Sequence, residues 1–367
     1  MANKLRVGVI GTGFGATVHI PAFQSEDCEV VAVCARREEH AKEAAQKFGI
    51  SNVFTDFQTL AEWDGVDAIS IASPPPMHFP MAMAALDNGK HVVCEKPFTT
   101  DVDLAHAMWA KAKASGLTHM VAHEFRFHSG RQYVKELLDQ GYIGQLHMGI
   151  ATLVNGPRGA FHARPLSERD DAKSGFGLLA ALGSHYIDAF RHWFGEVESV
   201  SGQVRTLFPD RTDPKTGASA RSTADDTFQF TLTFVNGGSM TMVATNAAPF
   251  GPGARIDIYG REGALSTPHK GPGMNPPSHG AVLGAKVGED ALKEMRIPQR
   301  LEPLTDDRDD RLFGFRLLVR QFKKGIETGT SPAPNFYDGY KCQQVLDAVR
   351  ESSRTGRSVT IPAEPPS

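Results

Sequence analysis

Two short stretches of this sequence combine residue types and spacing that point to chemistry: Gly11-Thr12-Gly13-Phe14-Gly15-Ala16 and Val92-Val93-Cys94-Glu95-Lys96-Pro97. The glycine turn follows an apolar, strand-like segment and opens a helical one. In that setting the backbone N–H groups at a helix start hold the pyrophosphate of a dinucleotide. Gly11 permits the tight turn, Gly13 lets phosphate approach the backbone, and Ala16 stands where a small residue allows close helix packing. Thr12, Phe14 and Gly15 complete the loop. Lys96 places a cation at the carboxyl end of a strand, which is where open parallel sheets bind ligands. Facing a nicotinamide, its ammonium would hold the reacting oxygen and stabilise alkoxide character there. Pro97 restricts the backbone beside it, and Glu95 either orients the lysine or stabilises the turn.

The second strand ends in Val33-Cys34-Ala35-Arg36-Arg37. A carboxylate at Ala35 would accept from a ribose 2′-hydroxyl, and none is there. Without that acid nothing repels a 2′-phosphate, and Arg36 and Arg37 offer two guanidinium groups to clamp one. NADP is therefore expected ahead of NAD.

The elements that must carry these turns follow from periodicity. Strands are expected at residues 6–10, 30–34, 66–72, 91–94 and 118–122, short and continuously apolar, with helices at 38–48 and 77–88 between them. Gly49 and Gly89 stand just past those helices, and a third helix is expected to open with a capping box at Thr100 and Asp103 and to close near Gly116. This alternation predicts a doubly wound parallel sheet over residues 1–124. From residue 125 to 367 the pattern changes to a helix at 129–140 and then longer alternating segments. Residues 226–234 and 239–245, joined by Asn236-Gly237-Gly238, read as a hairpin in a half-buried antiparallel sheet. Further strands are expected at 195–207 and 254–259, and helices at 182–194, 311–328 and 339–354. Residues 266–303, rich in Gly and Pro, are expected to leave one sheet edge as a long excursion. The fold class is thus α/β, a Rossmann domain followed by an α+β domain with a large, mainly antiparallel sheet.

Composition narrows the class. The chain has 367 residues, enough for two domains, and 39 basic against 42 acidic residues, a net charge of −3. No block of like charge recommends nucleic acid or an anionic membrane as a partner. The four cysteines, Cys28, Cys34, Cys94 and Cys342, are widely spaced and suggest neither a disulfide framework nor a metal cluster. With no leader-like start and no apolar run of spanning length, the expected location is the cytoplasm.

In order and spacing, the glycine turn, Ser73-Pro74-Pro75-Pro76-Met77-His78, Cys94-Glu95-Lys96-Pro97 and Gly183-Ser184-His185-Tyr186-Ile187-Asp188 resemble the Gfo/Idh/MocA oxidoreductases. The resemblance implies a bound nicotinamide cofactor, oxidation or reduction of sugars, polyols or related cyclic alcohols, and a homodimer or homotetramer built through the open face of the second sheet. It assigns Lys96 and His185 as catalytic residues and adds Ser73, Pro74 and His78 to the cofactor site. It also brings His123 and Arg126 towards the cleft. The family's aspartate, four residues before its histidine, falls on Ala181, and Asp188 is not an obvious substitute, although it shares a helix face with His185. His162, with Arg158 and Arg164, is a candidate for lining the substrate from the loop at 155–165. The expected function is NAD(P)-dependent transfer of hydride at a carbinol or carbonyl carbon. The alternative is a cofactor-binding sensor with the same fold and little turnover.

Overall fold

The computed structural model describes residues 4–156, 165–268 and 280–363. The chain divides into two compact units, Met1–Phe127 with Asp306–Gln343, and His128–Thr305 with Gln344–Ser367. In the first unit, β1 (Arg6–Ile10) runs through a five-residue π turn into α1 (Ile20–Ser25), followed by β2 (Glu29–Cys34), α2 (Glu38–Phe48), β3 (Asn52–Phe54) and α3 (Phe57–Glu62). Then come β4 (Ala68–Ile71), α4 (His78–Asp87), β5 (His91–Cys94), α5 (Val102–Ser115) and β6 (His119–Val121). The six strands form a parallel sheet in the order β3-β2-β1-β4-β5-β6, with Ile71 beside Cys94 and Cys94 beside Val121. Strands such as β4 are buried throughout because helices cover both faces. Gly49 closes α2 with φ 67°, a conformation that a side chain would strain. The cap of α5 differs from expectation: Asp101, one residue beyond Thr100, accepts from the Leu104 N–H at 3.0 Å, so the Thr100–Asp103 capping box is not formed. The short pair β3 and α3 was not anticipated.

The second unit begins with α6 (Ser129–Asp139) and β7 (Leu146–Val154), and α7 (Ser184–Phe194) follows a π turn over Leu179–Gly183. Next are β8 (Val197–Arg205), β9 (Asp210–Thr212), β10 (Ser219–Arg221), β11 (Thr227–Phe234), β12 (Ser239–Thr245), β13 (Gly253–Gly260), β14 (Gly263–Pro268), β15 (Val282–Lys286) and β16 (Lys293–Met295). The chain ends with α8 (Asp310–Thr328), α9 (Phe336–Thr355) and β17 (Val359–Thr360). Nine strands form one sheet, β16-β15-β14-β13-β7-β12-β11-β8-β17, antiparallel except where β12 pairs with β7. The β11–β12 hairpin pairs Thr233 with Ser239, as the turn residues require. Phe228, Phe230, Leu232 and Phe234 face inward, and Thr231 bonds Thr241 across the ladder at 2.9 Å. Each such buried side chain contributes roughly 1.5–3 kcal/mol.

Two expectations are corrected here. The excursion expected at 266–303 is partly sheet, since β15 and β16 extend the sheet beyond β14; residues 269–279 are outside the described part. The contiguous division at 124/125 misses the return of 306–343 to the first unit. The apolar face of α8, Leu312, Phe315, Leu318, Val319 and Phe322, belongs to the core around Val7 and Val9. Glu26 holds that helix from outside by accepting from Arg316 at 2.7 Å and Arg320 at 2.6 Å. The core residues Phe336 and Tyr340 of α9 join Phe98 in the same way.

Candidate active site

The glycine turn and the lysine turn lie at the same edge of the first sheet, at the carboxyl ends of β1 and β5, with β4 between them. Gly11 has φ 103°, and a Cβ there would stand 2.4 Å from the Ala72 carbonyl oxygen, so both shape and space demand glycine. A Cβ at Gly13 would meet nothing within 4 Å; this exposed backbone faces open space, as a phosphate cradle must. Gly15 packs closely instead, its missing Cβ lying 3.1 Å from Val9 Cγ1, a role the sequence reading gave to Ala16. Ala16 and Phe14 pack at the margin of the core, and the Arg311 guanidinium stacks 5.0 Å from the Phe14 ring. Ala35 is half-buried, whereas Arg36 and Arg37 are exposed on the turn before α2.

At the end of β5, Glu95 is buried and Lys96 half-buried, and the Lys96–Pro97 bond is cis. Glu95 Oε2 accepts from the Lys96 backbone N–H at 3.1 Å, and its Oε1 lies 3.1 Å from His19 Nε2. Burial by itself raises this carboxyl, but the His19 hydrogen bond and charge, with Lys96, outweigh it and hold Glu95 below the usual carboxylate range. His19, whose other nitrogen is 2.7 Å from Ser70 Oγ, was not singled out from sequence. Its one signal was a polar residue between Val18 and Ile20 in an otherwise apolar helix opening.

A second carboxyl lies past the neighbouring strand. Glu124, in the 3-10 turn after β6, is buried, and its Oε2 finds no hydrogen-bond partner among the described residues. Burial, with the Glu95 charge added, pushes it up to about 8, although Lys96 and Arg311 oppose the shift. Its surroundings therefore favour the protonated acid. This residue too escaped the sequence reading.

Several expected site residues have other occupations. The His78 ring is buried, with Nδ1 2.9 Å from the Pro97 carbonyl and Nε2 2.8 Å from that of Ser73. Burial lowers the imidazole despite those carbonyls, and the ring braces the lysine turn, which leaves only backbone for a cofactor contact at this position. Ser73 and Pro74 precede it on the β4 turn, Ser73 half-buried and Pro74 exposed. Arg126 donates to Asp338 Oδ1 at 2.8 Å, an ion pair with side chains only 5% and 14% exposed, which makes it a clamp inside the first unit. His123 is buried on the same turn.

In the second unit, His185 and Asp188 are buried on α7, and Arg131 Nη1 donates to the His185 carbonyl at 3.3 Å while its guanidinium stacks on Tyr186. Ala181 lies in the π turn leading into α7, and Asp225 Oδ2 accepts from the Leu179 N–H at 2.7 Å at the start of that turn. His162 lies outside the described residues, as do Arg158 and Arg164.

Comparison with known proteins places this geometry. Residues 5–123 match the oxidoreductase family with an NAD-binding Rossmann fold, GFO_IDH_MocA, and residues 131–266 match the GFO/IDH/MocA C-terminal domain. An uncharacterized oxidoreductase of Synechocystis is 31% identical over 98% of this chain and 96% of its own. The dTDP-3,4-didehydro-2,6-dideoxy-alpha-D-glucose 3-reductase of Actinomadura kijaniata is 34% identical, covering 96% of this chain and 97% of its own. Among solved structures, levoglucosan dehydrogenase in complex with NADH and levoglucosan superposes with a TM-score of 0.87 at 25% identity, over 98% of this chain and all of that one.

Proposed function

This chain belongs to the Gfo/Idh/MocA oxidoreductase family, and on that footing we propose that it moves hydride between a nicotinamide cofactor and a carbinol or carbonyl carbon of a sugar, polyol or related cyclic alcohol. The observation that carries this reading is the shared sheet edge: a glycine cradle that fits a dinucleotide phosphate at the end of β1 and a half-buried lysine at the end of β5. The sugar-like substrate class draws support from the sugar reductase and the levoglucosan complex.

The bound nicotinamide supplies the two-electron chemistry. In oxidation Lys96 Nζ holds the substrate oxygen and favours its anionic form, and the His185 imidazole takes the hydroxyl proton; in reduction both roles reverse. Gly11, Thr12, Gly13, Phe14 and Gly15 hold the phosphates, with Ser73 and Pro74 beside them. Arg36 and Arg37, exposed beside an uncharged Ala35, favour NADP over the NADH seen in the levoglucosan dehydrogenase. Assembly as a homodimer or homotetramer would cover Met148, Ile150 and Tyr259, which are 45%, 39% and 42% exposed on neighbouring strands of the second sheet. We place the protein in the cytoplasm, where its four buried cysteines would stay reduced.

Denaturing the purified protein and assaying the supernatant identifies the resident cofactor. Comparing kcat/KM for NADP+ and NAD+ with a panel of sugars and polyols then tests the rest. NADP+ is expected to lead, and Arg36→Ala with Arg37→Ala should erase that lead by about 10–100-fold. Recovery of NAD alone would overturn the arginine clamp. Ala181, where the family carries an acid, favours one second reading, a sensor; tight cofactor binding without turnover on any substrate would select it.

A further inference from the structure

His19 lies where the cofactor turn and the lysine turn meet. It ends the π turn Gly15–His19 that begins in the glycine loop, and it is wholly buried. π turns inside helices recur at functional sites, because the extra residue re-aims one side chain. Here the re-aimed side chain is the imidazole. The ring stands nearly perpendicular to Phe14 of the glycine loop, centroid to centroid 5.6 Å, and lies tilted by 39° against Phe315 at 4.3 Å. Its nitrogens join three segments into one chain of hydrogen bonds: Ser70 Oγ on β4 to Nδ1 at 2.7 Å, Nε2 to Glu95 Oε1 at 3.1 Å, and Glu95 Oε2 to the Lys96 N–H at 3.1 Å. Because an ionised Glu95 can only accept, Nε2 carries hydrogen and donates to it.

Each link is short of alternatives. Ser70 and His19 are both 0% exposed and Glu95 is 7% exposed, so water cannot replace a lost partner cheaply. The chain therefore transmits position. A displacement of Phe14 would pass to the ring that holds the Glu95 carboxylate, and the carboxylate holds the backbone from which the Lys96 side chain projects.

We infer that His19 is a positioning residue that couples occupation of the dinucleotide site to the placing of Lys96. The inference rests on the proposed cofactor site but not on catalysis by Lys96. Its main readout is backbone hydrogen exchange over residues 94–98, with and without saturating NADPH, in the wild type, His19→Gln and His19→Leu. Glutamine keeps a donor towards Glu95, and leucine removes it while keeping the bulk. In the wild type, NADPH is expected to slow exchange in this segment by about tenfold or more. His19→Gln should keep most of that protection and His19→Leu should lose it, although both still bind NADPH. In turnover, kcat should fall about 10–100-fold for His19→Leu, with substrate KM within a few-fold and partial rescue in His19→Gln.

Retention of cofactor-induced protection in His19→Leu overturns the inference, and so does equal loss in both variants. If His19→Leu does not fold, Ser70→Ala breaks the far end of the same chain and should weaken the protection without abolishing it; unchanged protection there would also count against the coupling. Failure of the proposed function looks different, because the wild type would then bind no nicotinamide cofactor at all, whereas binding without protection at 94–98 overturns the coupling.

Discussion

The ends of two neighbouring strands, β5 and β6, each present a buried carboxyl, and the two behave in opposite ways. Glu95 has a histidine and a backbone N–H to accept from and stays ionised. Glu124 has an oxygen with no hydrogen-bond partner among the described residues and is held neutral. Burial is similar at 7% and 2% exposure, so it cannot be what separates them. Hydrogen-bond supply and neighbouring charge do: His19 and Lys96 favour the ionised Glu95, and that charge in turn disfavours a second one on Glu124. The ionised carboxylate anchors the lysine turn through the Lys96 N–H, and the protonated one adds no second negative charge beside it.

The largest effect should come from emptying the ionised site. Glu95→Leu leaves the His19 donor and the Lys96 N–H buried without an acceptor, and urea unfolding at pH 7 should show a loss of about 3–5 kcal/mol. Glu124→Leu removes a group that must take up a proton to be buried at pH 7, and in the same experiment it should show no loss and a gain of up to a few kcal/mol. Equal losses in the two variants would break the contrast.

The pH dependence sharpens it, since the two carboxyls pull stability in opposite directions. Glu124 keeps its proton in the folded state up to about 8, while the unfolded chain releases it near the ordinary carboxylate value. Between those values unfolding releases a proton, so wild-type stability should fall as pH rises, and should level off above about 8. Glu124→Gln removes that slope: its advantage should grow from nothing near pH 4 to the order of a few kcal/mol near pH 9. Glu95, with its pKa lowered, contributes stability that is full above the ordinary carboxylate value and is lost as pH falls through its own. The smallest effect should be at Ser70, where Ser70→Ala removes one hydrogen bond at the far end of the chain and should cost about 1 kcal/mol by urea unfolding.

The parts of this site that were legible in sequence are those built from neighbours along the chain. The strand at 6–10, the strand at 91–94 and the helix at 38–48 carry their own periodicity and glycine stops, and they fall where expected. The Asn236-Gly237-Gly238 hairpin is legible for the same reason. What was missed depends on distant partners. His19 meets Ser70 and Glu95 across 51 and 76 residues, and no local pattern marks either contact. The return of α8 to the first unit is invisible because an amphipathic helix shows that it has an apolar face but not which core receives it. The partners of Arg126 and His78 were not legible either, because the resemblance carries residue positions and not hydrogen-bond partners. Their side chains are committed to Asp338 and to the carbonyls of Ser73 and Pro97.

The central claim, that Lys96 serves hydride transfer to or from a bound nicotinamide, is tested most directly by following nicotinamide absorbance with a panel of polyols and sugars for the wild type and Lys96→Met, alongside cofactor affinity. The wild type should turn over, kcat should fall about 100-fold or more in the variant, and cofactor affinity should change by no more than a few-fold. Turnover surviving within about tenfold of the wild type in Lys96→Met would contradict it.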